Sequence, residues 1–135
     1  MFDLLKYPPK ILVAFGETFF DNKEIMSWLL KNGYPELAAL SYAIQGSEEA
    51  FHWLMNNGFT HLAALDSAID NDQKAYLWLR MHKYLFSIVF ADACHGKSDA
   101  IEWFNRHNLQ VLLRITQRIR ELRDSQTYDY HKMHF

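Results

Sequence analysis

The residues able to do chemistry are one cysteine, seven histidines, a spread of carboxylates and a run of arginines near the end of the chain. Cys94-His95 sets a thiol beside an imidazole, the pair from which a nucleophile is built when the base can reach the sulfur. On a helix, adjacent side chains point about 100° apart and do not face each other. His52, His61, His82, His95, His107, His131 and His134 raise a metal site, which needs three or four donors converging on one ion. His131 and His134 would share a helix face only if the end of the chain were helical. Arg114, Arg118, Arg120 and Arg123 could line up phosphate contacts. What each group does depends on the element that carries it.

Those elements follow from a fixed period. The four tryptophans are Trp28, Trp53, Trp78 and Trp103, each 25 residues from the next. Self-similarity at such a period is the signature of a repeat architecture. In register, the units are 21–45, 46–70, 71–95 and 96–120, and places within a unit are numbered one to twenty-five. Place five is Ile25, Ala50, Ala75 and Ala100; place nine is Leu29, Leu54, Leu79 and Phe104; place twenty is Leu40, Leu65, Phe90 and Ile115. Places five, eight, nine and twelve share one helix face, and places seventeen, twenty and twenty-four share another. Asn22, Ser47, Asp72 and Ser98 can cap the first helix, and Asn32-Gly33 and Asn57-Gly58 can close it through the left-handed conformation. Each unit is therefore a short helix, a tight turn and a second short helix, marginal alone and stabilised by its neighbours. The expected fold is an all-α solenoid of stacked antiparallel helix pairs with no sheet, a single domain over 1–124. Residues 1–20 are an N-terminal half-unit, and 125–135 form an aromatic tail, either disordered or a strap.

The repeat then reinterprets the chemistry. Cys94 stands where three other units have Ile44, Ile69 and Ile119, so it reads as a small core residue. His82 and His107 stand where Asn32 and Asn57 stand, at a helix end. The tryptophans, repeated four times at one place, read as core. Arg114, Arg118 and Arg120 replace Ala39, Ala43 and Gln45, as a terminal unit requires if nothing covers it. Glu121 and Asp124 interrupt the basic run.

Composition narrows the partners. The net charge is −2, half of the residues are hydrophobic, and 135 residues can bury a core as one domain. Residues 96–135 hold seven Lys/Arg and five Asp/Glu, and residues 1–95 hold seven and eleven. Nucleic acid is accordingly an unfavoured partner. A single cysteine suits a reducing, cytoplasmic setting. Residues 1–20 carry Pro8-Pro9 and Lys10, and the apolar run Ile11–Phe15 is too short for a bilayer, so no secretory signal or membrane partner is expected.

The run Leu37–Gly58, repeated at Leu62–His82 and more loosely at Ser87–Asn108, resembles the helix–turn–helix part of ankyrin repeats. Units of 25 residues leave no room for that family's β-turn finger, and its Thr-Pro-Leu-His signature is absent. The resemblance implies stacked helix pairs and a protein-binding role. It also places the second helix on the binding side, where places twenty-one, twenty-two and twenty-five would form a ridge. Along it stand Glu17, Tyr42, Gln45, Asp66, Asp70, Asp92 and His95, an acidic row suited to a basic protein surface, with Tyr42 as an aromatic anchor. The expected function is a non-catalytic protein-interaction module, an inhibitor or adaptor, without metal or cofactor. The alternatives are nucleic-acid binding through the C-terminal arginines and a metal-dependent enzyme or accessory built on the histidines.

Overall fold

The computed structural model describes residues 4–125, so the expectation for the aromatic tail lies almost wholly outside them. The described residues form a 3-10 turn, Leu4–Lys6, followed by α1 (Pro9–Glu17), α2 (Lys23–Lys31), α3 (Pro35–Ile44), α4 (Glu48–Asn56), α5 (Thr60–Ile69), α6 (Gln73–Met81), α7 (Leu85–Cys94), α8 (Ser98–Arg106) and α9 (Gln110–Ser125). The fold is all-α, with no strand among the described residues. None of their helices is long and apolar enough to cross a membrane.

Local chemistry sets these boundaries. The side chains of Asn22, Ser47 and Asp72 accept the backbone N–H groups of Ile25, Ala50 and Lys74, satisfying donors that the first turn leaves open. At the other end of the same helices, place twelve serves as a cap. Asn32 and Asn57 donate their side-chain amides to the carbonyls of Trp28 and Trp53, both at 2.8 Å. His82 and His107 bring Nδ1 to the carbonyls of Trp78 and Trp103 at 2.9 and 2.8 Å. Place thirteen has positive φ in all four units, at Gly33, Gly58, Lys83 and Asn108. So does place one, at Asp21, Gly46, Asn71 and Gly96. Two left-handed residues per unit turn the chain sharply enough for 25 residues to hold two helices.

The two kinds of helix differ in burial. α2, α4, α6 and α8 bury only two or three residues each, whereas α5 is buried without interruption from Leu62 to Ile69. A helix apolar all round must be enclosed by protein. Thus α1, α3, α5, α7 and α9 are inner helices, and the other four lie outside them. Phe15, Leu40, Leu65, Phe90 and Ile115, one from each inner helix, are all buried, and Leu4 of the 3-10 turn is sealed in beside α7.

The row of inner helices closes. Each packs on the next, and α9 packs back on α1. At that seam a Cβ on Gly16 would stand 2.7 Å from Ile115 Cγ1, so only glycine allows the approach. Arg118 Nε donates to the Phe19 carbonyl at 2.8 Å, and the Arg114 and Arg118 guanidiniums lie 4.8 and 5.0 Å over the Phe20 ring. The arginines expected to form a solvent-facing cap therefore cover the N-terminal half-unit. That half-unit brings no outer helix of its own, which leaves its inner helix open to the last unit's side chains.

The tryptophans also sit differently from expectation. Trp53 is 36% exposed, and the fully buried place is nine. The Trp53 and Trp78 rings lie nearly parallel to Phe59 and Tyr84 at place fourteen, each 5.8 Å away. They brace the turn between the two helices of a unit rather than filling the centre.

Candidate protein-binding groove

The expected ridge divides on burial. Asp66 is fully enclosed, and Asp70 is nearly so and pairs with Arg123. His95 Nε2 meets the Ala68 carbonyl at 3.0 Å. Asp92 accepts from the Tyr76 hydroxyl at 3.0 Å and from Lys97 Nζ at 3.3 Å. Gln45 donates to Ser41 Oγ at 3.0 Å and is 3.5 Å from the Thr18 carbonyl. Glu17 ends α1 half-buried, and of the seven only Tyr42, at 48%, and Gln45 are exposed. A continuous exposed acidic row is therefore absent from this face. At place twenty-five Gln45 and His95 meet carbonyls at the end of the preceding inner helix, and Asp70 meets Arg123.

α9 completes this arrangement. It runs five residues past the repeat, to Ser125, and Arg123 reaches the Ile44 carbonyl at 3.0 Å as well as Asp70. The Arg120 guanidinium fills the space beside Gly96 at the end of α7. With Arg118 on Phe19, the arginines of one helix reach the C-terminal ends of the other four inner helices and bond carbonyls at two of them, Phe19 and Ile44. Carbonyls left open at a helix C-terminus favour a cation there.

The histidines and the thiol are placed in the same way. Burial pushes the Cys94 thiol well above its ordinary range, which disfavours the thiolate a nucleophile needs. His61 stacks on Tyr84 at 5.1 Å, and its pKa is lowered, first by burial and then by Lys6. His52 lies on the outer face, 3.9 Å from Glu48.

An apolar recess lies between the first two units. Leu30, Pro35, Ala38, Ala39 and Tyr42 form one wall, and Ser47, Glu49, Ala50 and Trp53 form the other, around about 610 Å³. Leu30, Tyr42 and Trp53 are all exposed on it. A second, more polar recess adjoins across Leu30 and Tyr42, with Asp21, Lys23 and Gln45 in its lining. The equivalent space one unit on is closed, because Ala63, Ala64, Ser67, Asp72 and Ala75 are buried there. Between the last two units it is small and polar, lined by Tyr76, Arg80, Asp92 and Lys97 around about 140 Å³. Tyr42 belonged to the expected site; Leu30 and Trp53 did not. Leu30 carried a readable signal, since place ten is apolar in three of five units although it lies off the buried stripe.

Comparison of the chain with protein-family models, with curated proteins and with solved structures returns no match.

Proposed function

We propose that the protein is a non-catalytic protein-binding module whose groove between the first two units takes apolar side chains of a partner segment. The observation that carries this reading is the exposure of Tyr42, Trp53 and Leu30 around one apolar recess, because tyrosine and tryptophan in a desolvated pocket supply most of the energy of many interfaces. Glu49 in the wall and Asp21 in the adjoining recess favour a partner with lysine or arginine beside its apolar anchor. Stacked helix pairs in the manner of ankyrin arrays, without the finger, fit such a role, since a repeat offers an extended and rigid surface. The nucleic-acid reading loses support because the C-terminal arginines are engaged with Phe20, Asp70 and helix-end carbonyls. Of the described histidines, His61, His82, His95 and His107 likewise sit against carbonyls or rings.

A random peptide library displayed on phage tests the reading while the partner itself is unidentified. Enriched sequences should share a large apolar residue flanked by Lys or Arg. Their binding should weaken at least roughly tenfold on Tyr42→Asp, the scale of losing one well-buried anchor. Enrichment indifferent to both Tyr42→Asp and Leu30→Asp would place the site elsewhere.

A further inference from the structure

Sorted by place in the unit, the exposed carboxylates keep away from one end of the molecule. The five turns leading into the inner helices span 5–11, 30–36, 55–61, 80–86 and 105–111. They contain Lys6, Lys10, Lys31, Arg80, Lys83 and Arg106 but a single carboxylate, Glu36. All six cations are exposed, whereas Glu36 is buried and receives the Tyr7 hydroxyl at 2.6 Å. These turns therefore present no exposed carboxylate. Exposed carboxylates such as Asp21, Glu48, Glu49 and Asp99 lie toward the opposite ends of the helices, where exposed Lys23, Lys74 and Lys97 stand among them.

The turns are neighbours in space. Tyr7 of the first meets Tyr34 of the second at 6.0 Å, and His61 of the third stacks on Tyr84 of the fourth. Leu5 and Leu12 share an apolar cavity of about 390 Å³ with Leu109 and Val111, joining the fifth turn to the first. Each turn also carries a large aliphatic side chain exposed to solvent: Leu5, Leu30, Met55, Met81 and Val111, with Leu85 beside Met81. Met81 and Leu85 are 69% and 61% exposed, in a unit whose outer helix lacks any carboxylate. The repeat supplies its own control. Where Met81 and Leu85 stand, the two preceding units have Lys31 and Asn56, then Pro35 and Thr60.

The form of this surface selects its partner. Met81 and Leu85 protrude and line neither the groove nor the recesses around it, so a rigid protein would need matching pits. A lipid interface yields around each side chain, and basic groups beside the inserted chains gain from anionic headgroups. Single-stranded nucleic acid is disfavoured, because its bases stack on exposed large aromatic rings and the large apolar side chains exposed here are aliphatic. We propose that this end of the molecule docks on an anionic bilayer surface, with Met81 and Leu85 entering the interface and Lys31, Arg80, Lys83 and Arg106 over the headgroups. The protein lies on the membrane rather than crossing it, and the end that carries the exposed carboxylates faces away. The groove between the first two units stays open at the side, so this docking stands independently of a peptide partner held there.

Co-sedimentation of the intact protein with vesicles tests the proposal, using phosphatidylcholine alone or phosphatidylcholine with phosphatidylserine. Binding should require phosphatidylserine and fall with added salt. Arg80→Glu with Lys83→Glu should cut the partition coefficient more than about tenfold, since each basic residue near an anionic leaflet contributes on the order of a factor of five. Met81→Ser with Leu85→Ser should weaken binding while keeping all charges. Glu48→Gln with Glu49→Gln, away from the turns, should not weaken it. Circular dichroism confirms that each variant is folded. Absence of binding, equal binding to both vesicle types, or insensitivity to both pairs of substitutions overturns the proposal. So does tighter binding to duplex DNA or polyglutamate than to the anionic vesicles through the same residues, which would make the surface a polyanion site.

Discussion

At the scale of single residues, the buried tyrosines govern how stability depends on pH. Tyr7 bonds Glu36 and Tyr76 bonds Asp92, and burial followed by these carboxylates raises both phenol pKa values far above the ordinary value. Below pH about 10 both states keep the phenols protonated; above it only the unfolded chain loses them readily, so stability falls as pH rises through that point. Thermal melts across the alkaline range should show this loss, and Tyr7→Phe should flatten it. The same substitution should cost about 1–3 kcal/mol at neutral pH, because the buried Glu36 carboxylate loses a donor. A variant as stable as the parent at neutral pH would remove the Tyr7–Glu36 bond from the account. His61 acts at the acid end. Its lowered pKa means that the unfolded chain takes up the proton first, so stability falls as pH drops below about 6.5.

At the scale of the repeat unit, burial ranks the two best-repeated places against first impression. Leu54 is fully buried and Trp53 is one-third exposed. Leu54→Ala should cost about 3–5 kcal/mol and Trp53→Ala, which loses the stack on Phe59 but opens less of a cavity, about 2–3. Denaturant unfolding gives both values, and the reverse order would return the tryptophans to the centre of the core. The turns supply a second prediction. Lys83 holds φ +63° where the first two units have Gly33 and Gly58. A side chain in that region costs about 1 kcal/mol that glycine avoids, so Lys83→Gly should raise stability by up to that amount. Unchanged or lowered stability would mean that the Lys83 side chain contributes elsewhere in the fold.

At the scale of the whole molecule, closure is the property to test. Gly16→Val should destabilise strongly by pushing Ile115 aside, and Ile115→Ala should relieve much of that cost. Strict additivity of the two substitutions would deny that α1 and α9 touch. Arg118→Ala and Arg123→Ala should lower the melting temperature without promoting end-to-end association, because each removes a bond to a helix end within the same chain. An open array would behave in the opposite way, staying stable and aggregating once its cap was made apolar. Light scattering beside the melt separates the two.

What the sequence determined by itself was periodic and local. A 25-residue interval between tryptophans, capping residues before α2, α4 and α6, and Asn or Gly after α2, α4 and α8 are short-range patterns. The described helices follow them to within a residue or two, although Ser98 falls inside α8, which starts from Lys97 without a side-chain cap. The core place of Cys94 and the cap role of His82 and His107 could be read in the same way, because a repeat shows what other residues do at the same place. The tertiary structure decided what no repeat can show about itself, namely which units become neighbours at the ends. Gly16 and Ile115 lie 99 residues apart, as do Phe19 and Arg118, and their contact exists only once every pair has stacked with the curvature that brings α9 back to α1. Place twenty-one is buried in every unit, at Ser41, Asp66, Ala91 and Thr116, whereas Tyr42 at place twenty-two stands outside. Each helix has the same pattern of faces in an open row as in a closed one, and only closure says what covers the two ends.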